Sequence, residues 1–314
     1  MKVAINIPSN LELLDYDLFN QYDVKVYIKR DDQIHPEISG NKWRKLNLNI
    51  EKYKQGRYEK ILTFGGAYSN HIHATAALGR DLQIPTIGII RGEELTPQSN
   101  ATLKAAAAAG MELVFVNREE YSWRYERDYK ELLRRKYGNV MVIEEGGANY
   151  LGVAGCTAIV AEIGIDTDYY ILPAGTGTTT AGILMGVDHQ QVISVPVFKK
   201  GDFIRDEISS LLTYSGLGEE EIEEKLAQLK LATNYAFGGY GKSNQTLIDF
   251  INQIYTETGL KLDQIYTGKM FYALCDLIKL GEIKKGSSVV AIHTGGLQGT
   301  SSIADKLVFS VDHF

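Results

Sequence analysis

Among the side chains that could do chemistry, Lys42 stands first. It lies in Ser39-Gly40-Asn41-Lys42-Trp43-Arg44-Lys45-Leu46, between a glycine-bearing turn and a helical pattern. A lysine amine becomes a useful nucleophile when its pKa falls, through desolvation or neighbouring cations. Arg44 and Lys45 are near in sequence, but either can point elsewhere. Taken alone, the segment reads better as the basic, solvated start of a helix.

Three glycine-bearing segments follow apolar runs and could line a cleft. In Phe64-Gly65-Gly66-Ala67-Tyr68-Ser69-Asn70-His71, the glycines end a strand and Ser69-Asn70 opens a helix. The first N–H groups of a helix have no internal partner and carry partial positive charge, so a carboxylate could bind there. The plainer reading makes Ser69 or Asn70 an N-cap only. The second segment is Pro173-Ala174-Gly175-Thr176-Gly177-Thr178-Thr179-Thr180-Ala181-Gly182. Small residues let backbone N–H groups converge and the hydroxyls add donors, which makes a phosphate cradle. It lacks the lysine of a Walker loop, and a plain turn competes with it. The third, His293-Thr294-Gly295-Gly296, says by itself only strand end and tight turn.

The elements that must position these residues alternate in type. Strands are predicted at Ile61–Phe64, Thr86–Ile90, Leu113–Val116, Val140–Ile143, Tyr169–Leu172, Gln191–Val197 and Val289–Ile292. Helices are predicted at Asn70–Leu82, Pro97–Ala109, Trp123–Tyr137, Tyr150–Ile163, Ser243–Thr258 and Gly268–Leu280. Such alternation implies parallel sheets covered by helices, with ligands at the carboxyl ends of strands.

The totals exclude several classes. The 314 residues carry a formal net charge of −6, and nothing in the sequence resembles a nucleic-acid footprint, which would need a basic face. Cys156 and Cys275 lie far apart, outside any metal-binding spacing, and read as buried free thiols. No metal is expected. No stretch of about 18 apolar residues exists, and Met1–Asn10 has no signal-peptide pattern, so no membrane association and a cytoplasmic location are expected. His71 and His73 stand near Ser69, but the G-x-S-x-G elbow of a hydrolase is absent. Histidines at i and i+2 share no helix face, which argues against a metal pair.

Together the segments resemble one family, the pyridoxal-5′-phosphate (PLP) enzymes that comprise D-cysteine desulfhydrase and 1-aminocyclopropane-1-carboxylate deaminase. Ile28-Lys29-Arg30-Asp31-Asp32 followed by Ser39–Leu46 is similar to K-R-[DE]-D…G-N-K-x-R-K-L. Ser69-Asn70-His71 is similar to S-N-[HQ], Tyr266-Thr267-Gly268-Lys269 to Y-[TE]-G-K, and His293–Gly296 to H-[TL]-G-G. The matches run in the family's order over most of the chain. Where the family often has Arg, this chain has His73, and its phosphate loop is richer in threonine.

The resemblance implies a fold like the tryptophan synthase β-subunit: two open, twisted, parallel-sheet α/β domains with PLP in the cleft between them. Residues 53–149 would form the smaller domain; residues 1–52 and 150–314 would form the larger. It also implies roles. Lys42 would carry PLP and move protons; Gly175, Thr176, Gly177, Thr178 and Thr179 would hold its phosphate. Asn70 would face the ring oxygen, and Ser69 would bind the substrate carboxylate. Tyr240 and Tyr266 resemble the family's active-site tyrosines, although either could be core. Thr267 and Thr294 are the desulfhydrase-like choices at positions that hold Glu and Leu in the deaminases. The expected reaction is therefore α,β-elimination of a small amino acid, such as D-cysteine, by a homodimeric lyase. The alternatives are the cyclopropane deaminase, another PLP reaction, and a non-catalytic protein that binds a phosphate ligand through the threonine-rich loop.

Overall fold

The computed structural model describes residues 3–310. Its ten described strands are β1 (Leu11–Leu13), β2 (Lys25–Lys29), β3 (Lys60–Gly66), β4 (Thr86–Arg91), β5 (Glu112–Val116), β6 (Val140–Ile143), β7 (Tyr169–Ala174), β8 (Gln191–Pro196), β9 (Leu229–Leu231) and β10 (Ser288–Ile292). Six form one sheet in the order β1-β2-β10-β7-β8-β9, and four form another in the order β5-β4-β3-β6. Every neighbouring pair is parallel except β1 with β2. The protein is thus of the α/β class with two largely parallel sheets.

Parallel strands covered on both faces need continuous apolar runs rather than alternation. In the four-stranded sheet, Leu62, Phe64, Ile87 and Ile89 pack with Tyr121 and Leu133. Ile61 and Ile143 face the other way, onto Ala74, Leu78, Leu46 and Ile50. In the six-stranded sheet, Ile28, Ile171, Ile193 and Val289 pack on Leu247 and Phe271. Tyr170, Leu172, Val192 and Val290 pack on Val153, Ile183 and Ile208.

Two predicted helices differ from the structure. The one expected over 97–109 runs over Ala101–Ala108, because the Asn100 side chain accepts from Leu103 N at 2.9 Å and fixes the start there. The one expected over 123–137 is divided into a short helix Arg118–Ser122, a 3-10 turn Trp123–Tyr125 and a helix Arg127–Tyr137. Asn117 caps the first piece by accepting from Glu120 N, and Glu126 is extended before the last. The short strands β1, β2 and β9 were not predicted.

The helix Asn41–Gln55 carries Lys42 and is held by two devices. The first is close approach to the helix Tyr150–Ala161: a Cβ on Gly155 would lie 2.0 Å from the Arg44 carbonyl oxygen. The second is a buried group of four charges. Arg44 donates to Asp31 at 2.9 Å and to both Glu162 oxygens at 2.5 and 2.7 Å. Lys29 donates to Glu162 at 2.6 Å, and Ser9 Oγ donates to Asp31 at 2.6 Å. Bidentate arginine contacts of this kind set orientation as well as attraction. The Arg44 and Lys29 charges, outweighing burial, hold the Glu162 carboxyl down at about 2.

Arg44→Met should leave Asp31 buried beside only a hydroxyl and destabilise the fold by about 3–5 kcal/mol in urea unfolding. The Glu162 pKa is lowered on folding, so its contribution is full above the unfolded carboxyl value and is lost as pH falls towards 2. Wild-type stability should therefore decline below about pH 4.5, and Glu162→Gln should flatten that decline.

Candidate active site

Lys42 occupies the first turn of its helix. The turn before it requires glycine: Gly40 has φ +65°, and a Cβ there would lie 1.9 Å from the Thr294 carbonyl oxygen. That contact presses the turn after β10 against the lysine segment. Lys42 Nζ donates to Asn41 Oδ1 at 2.6 Å, and Asn41 Nδ2 donates to Thr179 Oγ1 at 2.9 Å. The amine is therefore tied, through one asparagine, to the loop after β7. Burial, aided by the nearby Lys45 ammonium, pulls the Lys42 pKa down to about 7. Lys45 is itself buried, and burial lowers its pKa as well. Arg44 points away, into the four-charge group.

The loop after β7 has the geometry of an anion cradle. Gly177, at φ +77°, stands at the N-cap of the helix Thr178–Gly186 and leaves the helix N–H groups without a side-chain cap. Thr176 and Thr178 hydroxyls lie 2.9 Å apart. Thr180 turns into the core instead, 3.0 Å from Ser194. A Cβ on Gly175 would be 3.4 Å from the Tyr266 ring, so the tyrosine lies beside the loop. Helix N–H groups and threonine hydroxyls suit a phosphate dianion.

Across the crevice, Ser69 is the N-cap of Asn70–Leu82, accepting from Ile72 N at 3.3 Å. It is thus a cap and also sits at the positive end of a helix. Asn70 Nδ2 and Asp263 Oδ2 converge on Gly296, at 3.2 and 3.3 Å from where its Cβ would be. His71 Nε2 lies 2.8 Å from Thr63 Oγ1, whose proton goes to the Ile143 carbonyl. His71 therefore donates from Nε2, and its buried Nδ1 has no partner among the described residues. Burial and the Lys42 and Lys45 charges hold its pKa far below the usual value. His73 lies beside Glu37.

The last wall comes from the segment before the helix Thr267–Lys279. Asp263 is fully buried and accepts from Ile265 N and Tyr266 N at 2.7 Å, and from Thr267 N at 2.9 Å. It also accepts the Thr267 hydroxyl proton at 2.6 Å. Thr267 is fully buried, and its hydroxyl is committed to Asp263. Tyr240 and Tyr266 meet edge to face at 6.2 Å. The loop that leads into Tyr240 is held by Lys269, which donates to the Ala236 and Gly239 carbonyls at 2.8 Å. Among the described residues no His, Cys, Asp and Glu cluster could hold a metal ion, and no helix is long and apolar enough to cross a membrane. Both cysteines are buried and free.

Contacts through Asn41, Gly40, Gly175 and Gly296 thus bring Lys42, Thr179, Thr294, Tyr266, Tyr240 and Asn70 together at the carboxyl ends of β3, β7 and β10, with Thr176, Thr178 and Ser69 as their chain neighbours. Sequence reasoning assigned no role to Lys45, Asp263 or Lys269. The spacing of Lys45 from Lys42 was a usable signal, since i and i+3 share a helix face.

A family profile described as pyridoxal-phosphate dependent enzyme matches residues 10–295. A Pyrococcus horikoshii protein named "Putative 1-aminocyclopropane-1-carboxylate deaminase" is 30% identical over 293 residues, covering 90% of this chain and 88% of its own. An Arabidopsis thaliana protein named "Bifunctional D-cysteine desulfhydrase/1-aminocyclopropane-1-carboxylate deaminase, mitochondrial" is 27% identical, covering 90% and 75%. A crystal structure described as an ACC deaminase homologue superposes with TM-score 0.79 at 28% identity, covering 98% of this chain and 94% of the other.

A lowered lysine pKa is directly measurable. Borohydride trapping with a small aldehyde should label Lys42 with a half-point near pH 7, as peptide mass analysis would read it. Surface lysines should follow at about pH 10.4. A Lys42 half-point with the surface group would contradict the desolvated amine. Lys269→Met should leave two carbonyls unpaired and cost about 1–3 kcal/mol in thermal unfolding.

Proposed function

Because the chain belongs to the pyridoxal-phosphate dependent enzyme family, we propose that it is a lyase that acts on a small amino acid, preferentially D-cysteine, by α,β-elimination. The net reaction takes D-cysteine and water to pyruvate, ammonia and hydrogen sulfide. The observation that carries this reading is the lack of an uncommitted carboxylate at position 267. Thr267 stands where the deaminases of the resembling family have Glu, and the nearby Asp263 is saturated by three backbone N–H groups and one hydroxyl.

Bound PLP supplies an electron sink for the bond broken at the substrate Cα, and its strength rises when a carboxylate keeps the pyridine nitrogen protonated. Without such a carboxylate, the chemistry favours loss of a good leaving group such as hydrosulfide over opening of a cyclopropane ring. Lys42, with a pKa of about 7, can hold PLP and move a proton at Cα near neutral pH. Thr176, Thr178, Thr179 and Lys45 would hold the phosphate, together with the N–H groups of Gly175 and Gly177. Asn70 would orient the ring oxygen. Ser69 would receive the substrate carboxylate at the helix start. Tyr240 and Tyr266 would close one side of the crevice against water. The names of the curated relatives favour a second reading, cyclopropane deamination.

The purified protein with PLP should be yellow and should release pyruvate and sulfide from D-cysteine. Lys42→Ala should abolish both. Turnover of 1-aminocyclopropane-1-carboxylate alone, in a panel with D-cysteine, L-cysteine and D-serine, would replace the desulfhydrase reading with the deaminase one.

A further inference from the structure

Beside the crevice, at the carboxyl ends of β4 and β5, lies a recess of about 300 Å³ lined by Arg91, Arg118, Tyr121, Ser122 and Arg124. Its floor is built. Tyr121 is 2% exposed, packs edge to face on Phe64 of β3 at 6.5 Å, and donates its hydroxyl to Glu145 at 2.8 Å. The Arg91 and Arg124 guanidinium groups both lie over the Tyr121 ring, 5.8 and 4.7 Å from its centroid. Arg124 is further fixed by Glu145 at 2.7 Å. Among the described residues neither Arg91 nor Arg118 has a carboxylate within ion-pairing distance.

Three guanidinium groups around one recess, with one carboxylate among them, repel one another, and among the described residues Arg124 alone of the three has an ion pair. A concentration of one sign in a concave site attracts the opposite charge, and guanidinium forks match carboxylate or sulfonate geometry. The recess is also joined to the crevice. Arg91 Nη2 lies 3.7 Å from where a Cβ on Gly66 would be, and the Gly66 carbonyl accepts from Ser69 N at 3.1 Å. Arg91 therefore lies beside Gly66, whose carbonyl holds the N–H of Ser69 at the helix start.

We propose that the Arg91–Arg118–Arg124 recess is the subsite for a negatively charged substituent of the amino-acid substrate, a second carboxylate or a sulfonate. This rests on the amino-acid reading above and extends its substrate class beyond neutral side chains. Ser69 takes the α-carboxylate, Arg91 reaches the distal anion, and Arg118 and Arg124 screen its charge.

Calorimetric titration of the PLP-loaded protein with cysteate and aspartate, each as both enantiomers, and with serine and alanine tests this. An anionic ligand should bind about tenfold or more tightly than its neutral counterpart, the factor for one charge-assisted hydrogen bond. The double variant Arg91→Gln/Arg118→Gln should lower that preference by a similar factor, and Arg91→Lys should retain part of it. Equal binding of cysteate and serine to the wild type would overturn the proposal. So would sulfate that binds the recess without competing with cysteate, since that marks a separate anion site. A protein that stays colourless with PLP would sink the lyase reading instead, and the cysteate-to-serine ratio would still be measured.

Discussion

The arrangement depends on four charges taken out of water: Lys29, Glu162, Arg44 and Asp31. Arg44 sits two residues after Lys42 and on a different face of the same helix. Its two forked contacts fix the rotation of that helix about its axis. Rotation decides whether the amine at position 42 enters the crevice or faces solvent. Gly155 fixes the other coordinate, depth, because no side chain stands between its backbone and the Arg44 carbonyl. With rotation and depth set, Lys42 meets Asn41 and Thr179, and Lys45 comes to lie close behind it. The low pKa of Lys42 follows from that placement.

Much of this was legible in the sequence, and the limits have physical causes. The strands from Lys60 onward are apolar runs bounded by Gly or Pro, and a buried parallel strand needs little else. Asn70–Leu82 was predicted to the residue because Ser69 marks its start. Pro97 misled because proline is acceptable at a first helical position, whereas Asn100 offers the oxygen that caps. The strands β1 and β9 have three residues each, too few to show a period.

The site was legible as motifs and less so as roles. Glycines and hydroxyls near Lys42, Ser69 and Gly175 carry local signatures. Asp263 has none, since its importance arises from the N–H groups that the chain folds over it. Thr267 is legible as a family position, but that its hydroxyl proton goes to Asp263 is a property of the fold alone. The arginine recess joins one strand end, Arg91, to a short helix and a 3-10 turn later in the chain, and that pairing across the sheet has no local signature.

Lys45 has a consequence for the protein before anything is bound. Its amine is enclosed, with no acid paired to it among the described residues, next to an amine and a histidine whose ionisation its charge disfavours. A dianion arriving in the Gly175–Thr179 cradle reverses the sign of that enclosure, from strain to attraction. The small molecule then acts as a missing piece of the interior, and the occupied chain resists heat and proteases better than the vacant one.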